Sequence, residues 1–145
     1  MIVRAMIVML GAGLMLPTAA WADTAKEQVA AAYAAWDAAF NKGDAKELAG
    51  FYTEDATFLP PTHAVLEGPA GVEEFFAGLF ANGVTGHKLE LIEAEAGTEM
   101  VVGAAKWSAQ GKDANGADAT FSGVATHVFE VQGDGSLKLK LHTFN

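Results

Sequence analysis

The stretch WDAAFNKGDAKELAGFYTEDATFLPP, residues 36–61, carries the densest set of structural signals in the chain. Gly43 ends a helical pattern and suits the left-handed backbone that closes a helix. Asp44 and Glu47 have the spacing of a capping box, which predicts a second, short helix. The apolar run that begins at Ala56 stops at two prolines, which cannot donate backbone hydrogen bonds to a sheet. We therefore predict a helix end, a corner, a short helix and a strand, in that order.

The residues before this stretch have the features of a secretory signal peptide. A positive residue, Arg4, precedes an apolar run that is shorter than a bilayer span. Ala20 and Ala22 are small residues at the two positions that a signal peptidase recognises. We predict a signal peptide over residues 1–22 and one domain over residues 23–145; an uncleaved membrane anchor is the alternative. After cleavage, the protein would be periplasmic or secreted, without a membrane partner.

The composition limits the classes of function. The 145 residues include 18 acidic and 9 basic ones, giving a net charge of −9, and no cysteine. Such a surface repels phosphate backbones, so we expect no nucleic-acid partner. An exported chain without cysteine forms no disulfides and depends on its core. The four histidines lack zinc-ligand spacing, and no glycine-rich loop follows the dinucleotide pattern, so we predict no metal and no cofactor.

Apolar periodicity predicts helices first and strands afterwards. A capping box at Thr24 begins a helix whose apolar stripe runs to Phe40. A third helix begins at Gly68 and Pro69 and has a wide apolar face. The rest of the chain changes to a period of two, which predicts strands over 87–95, 100–109, 117–131 and 137–144. This order is typical of an α+β fold with helices packed on one face of a curved antiparallel sheet.

Together these motifs resemble the nuclear transport factor 2-like (NTF2-like) superfamily, in particular its SnoaL-like and DUF4440 domains. The resemblance rests on Trp36, FNKGD at 40–44, YTEDAT at 52–57, the Gly68-Pro69 helix start and KLKLHTFN at 138–145. It implies a cone, in which a curved antiparallel sheet wraps around three N-terminal helices, and often a homodimer through the outer sheet face. The fold hosts isomerases, cyclases, dehydratases and binding modules, so it does not define an activity.

The ketosteroid isomerases of this superfamily use a carboxylate base and two hydrogen-bond donors around a dienolate. By resemblance, the donor on the first helix corresponds to Trp36, the base to Pro60 and the second donor to Thr126. Proline cannot accept a proton. The resemblance therefore argues against isomerase chemistry with residues at the same positions.

Strand alternation assigns the rest of the inner face. If Thr126 points inward, His127 points outward, and Lys140, His142 and Phe144 point inward on the last strand. His142 is the candidate catalytic acid/base, because imidazole titrates near neutral pH. A structural histidine is the alternative. If this strand carries a bulge, we expect Leu139 and Leu141 to face the pocket and His142 to point away. The predicted ligand-binding residues are Tyr33, Trp36, Phe58, His63, Phe76, Trp107, Thr126, Lys140 and Phe144.

Three functions remain open on this basis. The first is a module that binds a small apolar or aromatic molecule, which the apolar walls and the missing base favour. The second is an isomerase-, cyclase- or dehydratase-like enzyme that uses His142, with Lys140 or Thr126 orienting the substrate. The third is a protein-interaction module acting through the outer sheet face. Gly103 and Ala105, predicted to face inward, leave room either for a ligand or for a large neighbouring side chain.

Overall fold

A computed structural model describes the backbone of residues 18–145 and the side chains of residues 24–145. Within this range the chain forms three helices and six strands. They are, in chain order, α1 (Thr18–Lys42), α2 (Ala45–Ala49), β1 (Tyr52–Leu59), β2 (Leu66–Glu67), α3 (Gly68–Ala81), β3 (Thr85–Ala96), β4 (Met100–Lys112), β5 (Asp118–Val131) and β6 (Leu137–Phe144).

The six strands form one curved, open sheet in the order β2-β1-β6-β5-β4-β3. The four long strands β3 to β6 pair antiparallel, as the periodicity predicts. β1 pairs with β6 in parallel, a pairing that the strand pattern does not predict. The helices pack on one face of this sheet, so the predicted α+β, NTF2-like fold is confirmed.

The start of α1 differs from the prediction. The helix begins at Thr18 and continues through Thr24, so the predicted N-terminal cap at Thr24 is wrong for this chain. It also runs across the predicted cleavage site after Ala22. Residues 1–17 of the predicted signal peptide lie outside the described residues.

The predicted starts of α2 and α3 are confirmed. The Asp44 carboxylate accepts a hydrogen bond from the Glu47 backbone N–H at 2.8 Å, which satisfies a donor at the start of α2. α3 begins at Gly68, with Pro69 in its first turn. Gly68 has a φ of 67°, and a Cβ there would lie 2.8 Å from the Glu54 carbonyl oxygen, so this corner requires glycine.

None of the helices in the described part of the chain is long and apolar enough to cross a membrane.

A bulge in β6 decides which of its side chains face the helices. Opposite β5, the register steps from Leu141 to Leu139, so Lys140 is an extra residue in β6. An extra residue resets the alternation, which allows Leu139 and His142 to point to the same face. Both side chains are buried. The predicted inward orientation of His142 is therefore confirmed, and that of Lys140 is wrong. The expectation that a bulge turns His142 away from the pocket and Leu141 toward it is also wrong.

Candidate functional site

A cavity lies between α1, α3 and the inner face of the sheet. About 40 Å³ of it is open to the centres of water molecules, which is room for about three waters. Its walls are mostly aromatic and contain three histidines. The lining residues are Trp36, Phe40, Phe76, His87, Leu89, Trp107, Ala125, His127, His142 and Phe144. This set contains five of the residues singled out from the sequence: Trp36, Phe76, Trp107, His142 and Phe144.

The predicted orientation of β5 is wrong by one residue. Its inner face is formed by Ala125, His127 and Phe129, which are buried, whereas Thr126 is exposed. Thr126 therefore does not line the cavity, and His127, predicted to face outward, does. The outer face of the sheet is also apolar in places, with Val124 48% exposed. Alternation alone therefore does not show which set of β5 residues faces the core.

Four other predicted ligand-binding residues do not line the cavity: Tyr33, which lies behind His127, and Lys140, His63 and Phe58. Lys140, in the β6 bulge, forms an ion pair with the exposed carboxylate of Asp55. His63 lies on an exposed loop with a left-handed φ of 64°. Phe58 is fully buried behind the cavity wall, where it stacks against Phe144. Phe58 thus supports the site, whereas Lys140 and His63 take no part in it.

His127 is held by a tyrosine on α1. The Tyr33 hydroxyl and His127 Nδ1 are 2.8 Å apart, and both side chains are buried. Burial, together with the smaller effect of the nearby His87, lowers the pKa of His127 to about 3. Burial raises the pKa of Tyr33, so its hydroxyl stays protonated. A Cβ at Gly103 would lie 2.6 Å from the Tyr33 hydroxyl, which shows that Gly103 accommodates this side chain and not a ligand.

His142 is held in the same way by a tyrosine on β1. The Tyr52 hydroxyl lies 2.7 Å from His142 Nδ1. Burial, then the charges of His127 and His87, hold the pKa of His142 well below its usual value. Burial also raises the pKa of Tyr52, which the approaching Trp36 indole N–H partly opposes. That indole N–H makes no hydrogen bond of good geometry within the described residues.

The third histidine is oriented by a carboxylate that sequence reasoning missed. His87 Nδ1 lies 2.7 Å from Asp37 Oδ1, and Asp37 Oδ2 accepts a hydrogen bond from the Leu89 backbone N–H at 2.9 Å. The Asn41 side chain bonds both the N–H and the carbonyl of His87. Asp37 follows Tyr33 by four residues on α1, so it lies beside the apolar stripe that faces the sheet. A carboxylate at that position was the one sequence signal for a polar partner in the cavity.

The described side chains contain no group of three or more histidine, aspartate or glutamate residues placed to hold a metal ion.

Helices on one face of a curved sheet, with an aromatic cavity between them, define an NTF2-like domain. The SnoaL-like domain model matches residues 30–138, about three quarters of the chain, so the protein belongs to the SnoaL-like family. No curated protein matches the chain at a significant level.

Solved structures show the same fold. A protein of unknown function from Mycobacterium tuberculosis is 21% identical, with a TM-score of 0.75 over 92% of this chain and 77% of that one. A ketosteroid isomerase-like protein from Erwinia carotovora atroseptica is 17% identical, with a TM-score of 0.71 over 81% and 92%. An NTF2-like superfamily protein from Salmonella enterica is 14% identical, with a TM-score of 0.70 over 85% and 91%. At these identities the likeness concerns the fold.

Proposed function

We propose that the protein binds a small, mainly aromatic or apolar molecule in this cavity. The observation that carries the proposal is a concave aromatic lining that contains a few fixed polar groups, the usual composition of a ligand site. Domains of the NTF2-like type commonly bind small ligands, which supports it. The present volume suits a compact molecule. Trp107 and Phe144 are only partly buried, and admission of a single ring requires their side chains to shift.

A pair of alanine substitutions tests binding. Ala125 is buried and lines the cavity, so Ala125→Leu fills the space that a ligand would take. Ala104→Leu is the matched control, since Ala104 lies on the other face of the neighbouring strand, opposite the exposed Thr126. Mass spectrometry of protein purified from its native host should find a bound molecule with the unmodified chain and the control, but not with Ala125→Leu. The proposal fails if none of the three carries a molecule, or if all three carry it equally.

An acid/base enzyme is the second candidate, and the Asp37–His87 pair favours it. A histidine whose Nδ1 is held by a carboxylate is well oriented to accept a proton at Nε2. His142 is less suited, because Tyr52 occupies its Nδ1 and its lowered pKa makes it a weak base. Deuterium exchange at C2 of cyclohexanone, followed by NMR, tests this role. Exchange should be lost in His87→Gln and kept in a His63→Gln control; equal exchange in both contradicts it.

We further propose that the protein is exported with cleavage after Ala22. The positive residue, apolar run and small residues at the N-terminus support this reading. Cleavage there would let Thr24 cap the shortened α1. N-terminal sequencing of protein from the periplasm or medium should begin at Asp23. Recovery only from the cytoplasm, with residues 1–22 still attached, would contradict export.

A homodimer through the outer sheet face is the remaining proposal. Met100, Val102 and Val124 support it, since each is between 44% and 48% exposed and points away from the helices. Light scattering should give twice the chain mass, and Val124→Lys should shift it toward the monomer. A monomeric unmodified chain at working concentration would rule this assembly out.

A further inference from the structure

The hydrogen-bonding direction of the three cavity histidines follows from the residues behind them. Tyr33 and Tyr52 each place a hydroxyl on an Nδ1 atom, and neither hydroxyl has a second acceptor among the described residues. A buried hydroxyl hydrogen needs an acceptor, so each tyrosine donates to its histidine Nδ1. A neutral imidazole carries its hydrogen on the other nitrogen. His127 and His142 therefore present Nε2–H donors.

His87 has the opposite arrangement of donor and acceptor nitrogens from His127 and His142. Asp37 accepts hydrogen bonds only, so Nδ1 of His87 carries the hydrogen that it donates to the carboxylate. The Nε2 atom of neutral His87 is then a lone-pair acceptor. Within the described part of the chain, the Nε2 atoms of the three histidines have no hydrogen-bond partner, and all three rings line the cavity. The three histidine rings thus present two donors and one acceptor that are not paired; the Trp36 indole N–H, also without a hydrogen bond of good geometry among the described residues, is buried beside the Tyr52 hydroxyl instead.

The three rings line one small cavity. The His127 and His142 ring centroids are 4.4 Å apart, and His87 lies 4.8 Å from the Trp36 ring, which also contacts His142. The free volume is about that of three waters, and all three rings line it. A hydroxyl group has one hydrogen to donate and two lone pairs to accept. Its hydrogen-bonding capacity is the complement of two donors and one acceptor.

We propose that the three histidines form a socket for a single hydroxyl group, so that the ligand is a compact phenol or similar hydroxylated ring with its hydroxyl directed inward. This deepens the proposed binding function and depends on it. The hydroxyl oxygen accepts from His127 and His142 and donates to His87. The ring packs against the partly buried Trp107 and Phe144, whose side chains shift to admit it. Asp37 is a positioning residue, since it acts only through the direction of His87.

Three probes of similar size test the socket by calorimetric titration of the full-length protein at pH 7.5. Phenol donates and accepts, anisole only accepts, and toluene does neither. Leaving buried polar groups unpaired is costly, so phenol should bind at least tenfold more tightly than toluene, with anisole between them. Equal affinity for phenol and toluene overturns the socket and leaves apolar binding standing. Failure of all three probes to bind overturns both proposals.

Long-range ¹H–¹⁵N NMR of the imidazole rings shows, without a ligand, which nitrogen of each histidine carries the hydrogen. The expected spectra show the Nε2–H form for His127 and His142 and the Nδ1–H form for His87; any other assignment overturns the proposal. Asp37→Asn should move His87 to the Nε2–H form, because one side-chain atom of asparagine becomes a donor. It should also abolish the preference for phenol over toluene. Asp55→Asn is the matched control, on an exposed carboxylate away from the cavity, and should leave both results unchanged. A preference that survives in Asp37→Asn contradicts the proposal.

Discussion

The two tyrosine-held histidines should make the protein sensitive to mild acid. In the unfolded chain each histidine takes up a proton near pH 6.5, whereas burial keeps His127 neutral until about pH 3 and His142 neutral far below its usual range. Between these pKa values the unfolded state binds more protons than the folded state. The free energy of unfolding is therefore highest above about pH 6.5 and falls as the pH decreases. At pH 5.5 each histidine lowers the free energy of unfolding by more than about 1 kcal/mol, and the two together lower it by about 3 kcal/mol.

Urea unfolding at pH 7.5 and 5.5, followed by tryptophan fluorescence, measures this loss. A double variant with His127→Asn and His142→Asn keeps an acceptor oxygen near each Nδ1 position but cannot be protonated. Its stability should change between the two pH values by about 3 kcal/mol less than that of the unmodified protein. His63→Asn, on the exposed loop, should keep the full dependence. If the double variant shows the same dependence as the unmodified chain, the buried histidines are not its source and the reasoning is refuted.

Three further substitutions have expected outcomes by chemical unfolding. Gly103→Ala places a methyl group 2.6 Å from the Tyr33 hydroxyl and should destabilise the fold by about 1–3 kcal/mol; a neutral result would mean that Tyr33 moves freely. Phe58→Ala removes a fully buried ring and should cost about 3–5 kcal/mol, whereas a loss under about 1 kcal/mol would contradict its role in the core. Lys140→Ala breaks only a surface ion pair, so stability should change by less than about 1 kcal/mol and phenol affinity should not change. A large loss of phenol affinity would show that Lys140 takes part in ligand binding after all.

The sequence predicts the elements of this fold better than the faces of its strands. Glycine and proline positions locate the corners, and Gly68 is required by its left-handed backbone and its contact with Glu54. The phase of β5 is harder to predict, because Val124 and Val128 on one face are as apolar as Ala125 and Phe129 on the other. A strand with two apolar faces leaves its orientation to the tertiary structure.

The site itself depends on partners that are distant in sequence. Asp37 and His87 are 50 residues apart, and Tyr33 and His127 are 94 apart. No local pattern links such residues. The sequence alone therefore points to His142 as the candidate acid/base and does not identify a partner for His87. The direction of each imidazole depends on the group behind its Nδ1 atom, which only the three-dimensional arrangement supplies.

The parallel pairing of β1 with β6 affects how the chain folds. β6 follows every other strand in the chain, yet it lies inside the sheet, between β1 and β5. Until it docks, both of these strands have an unpaired edge, and Tyr52 is separated from His142 by 90 residues of unclosed chain. Contacts of this separation form slowly, because the entropy of closing the loop must be overcome first. The Tyr52–His142 pair should thus form among the last contacts, and a variant that weakens β6 should prolong the lifetime of an aggregation-prone, open-edged intermediate.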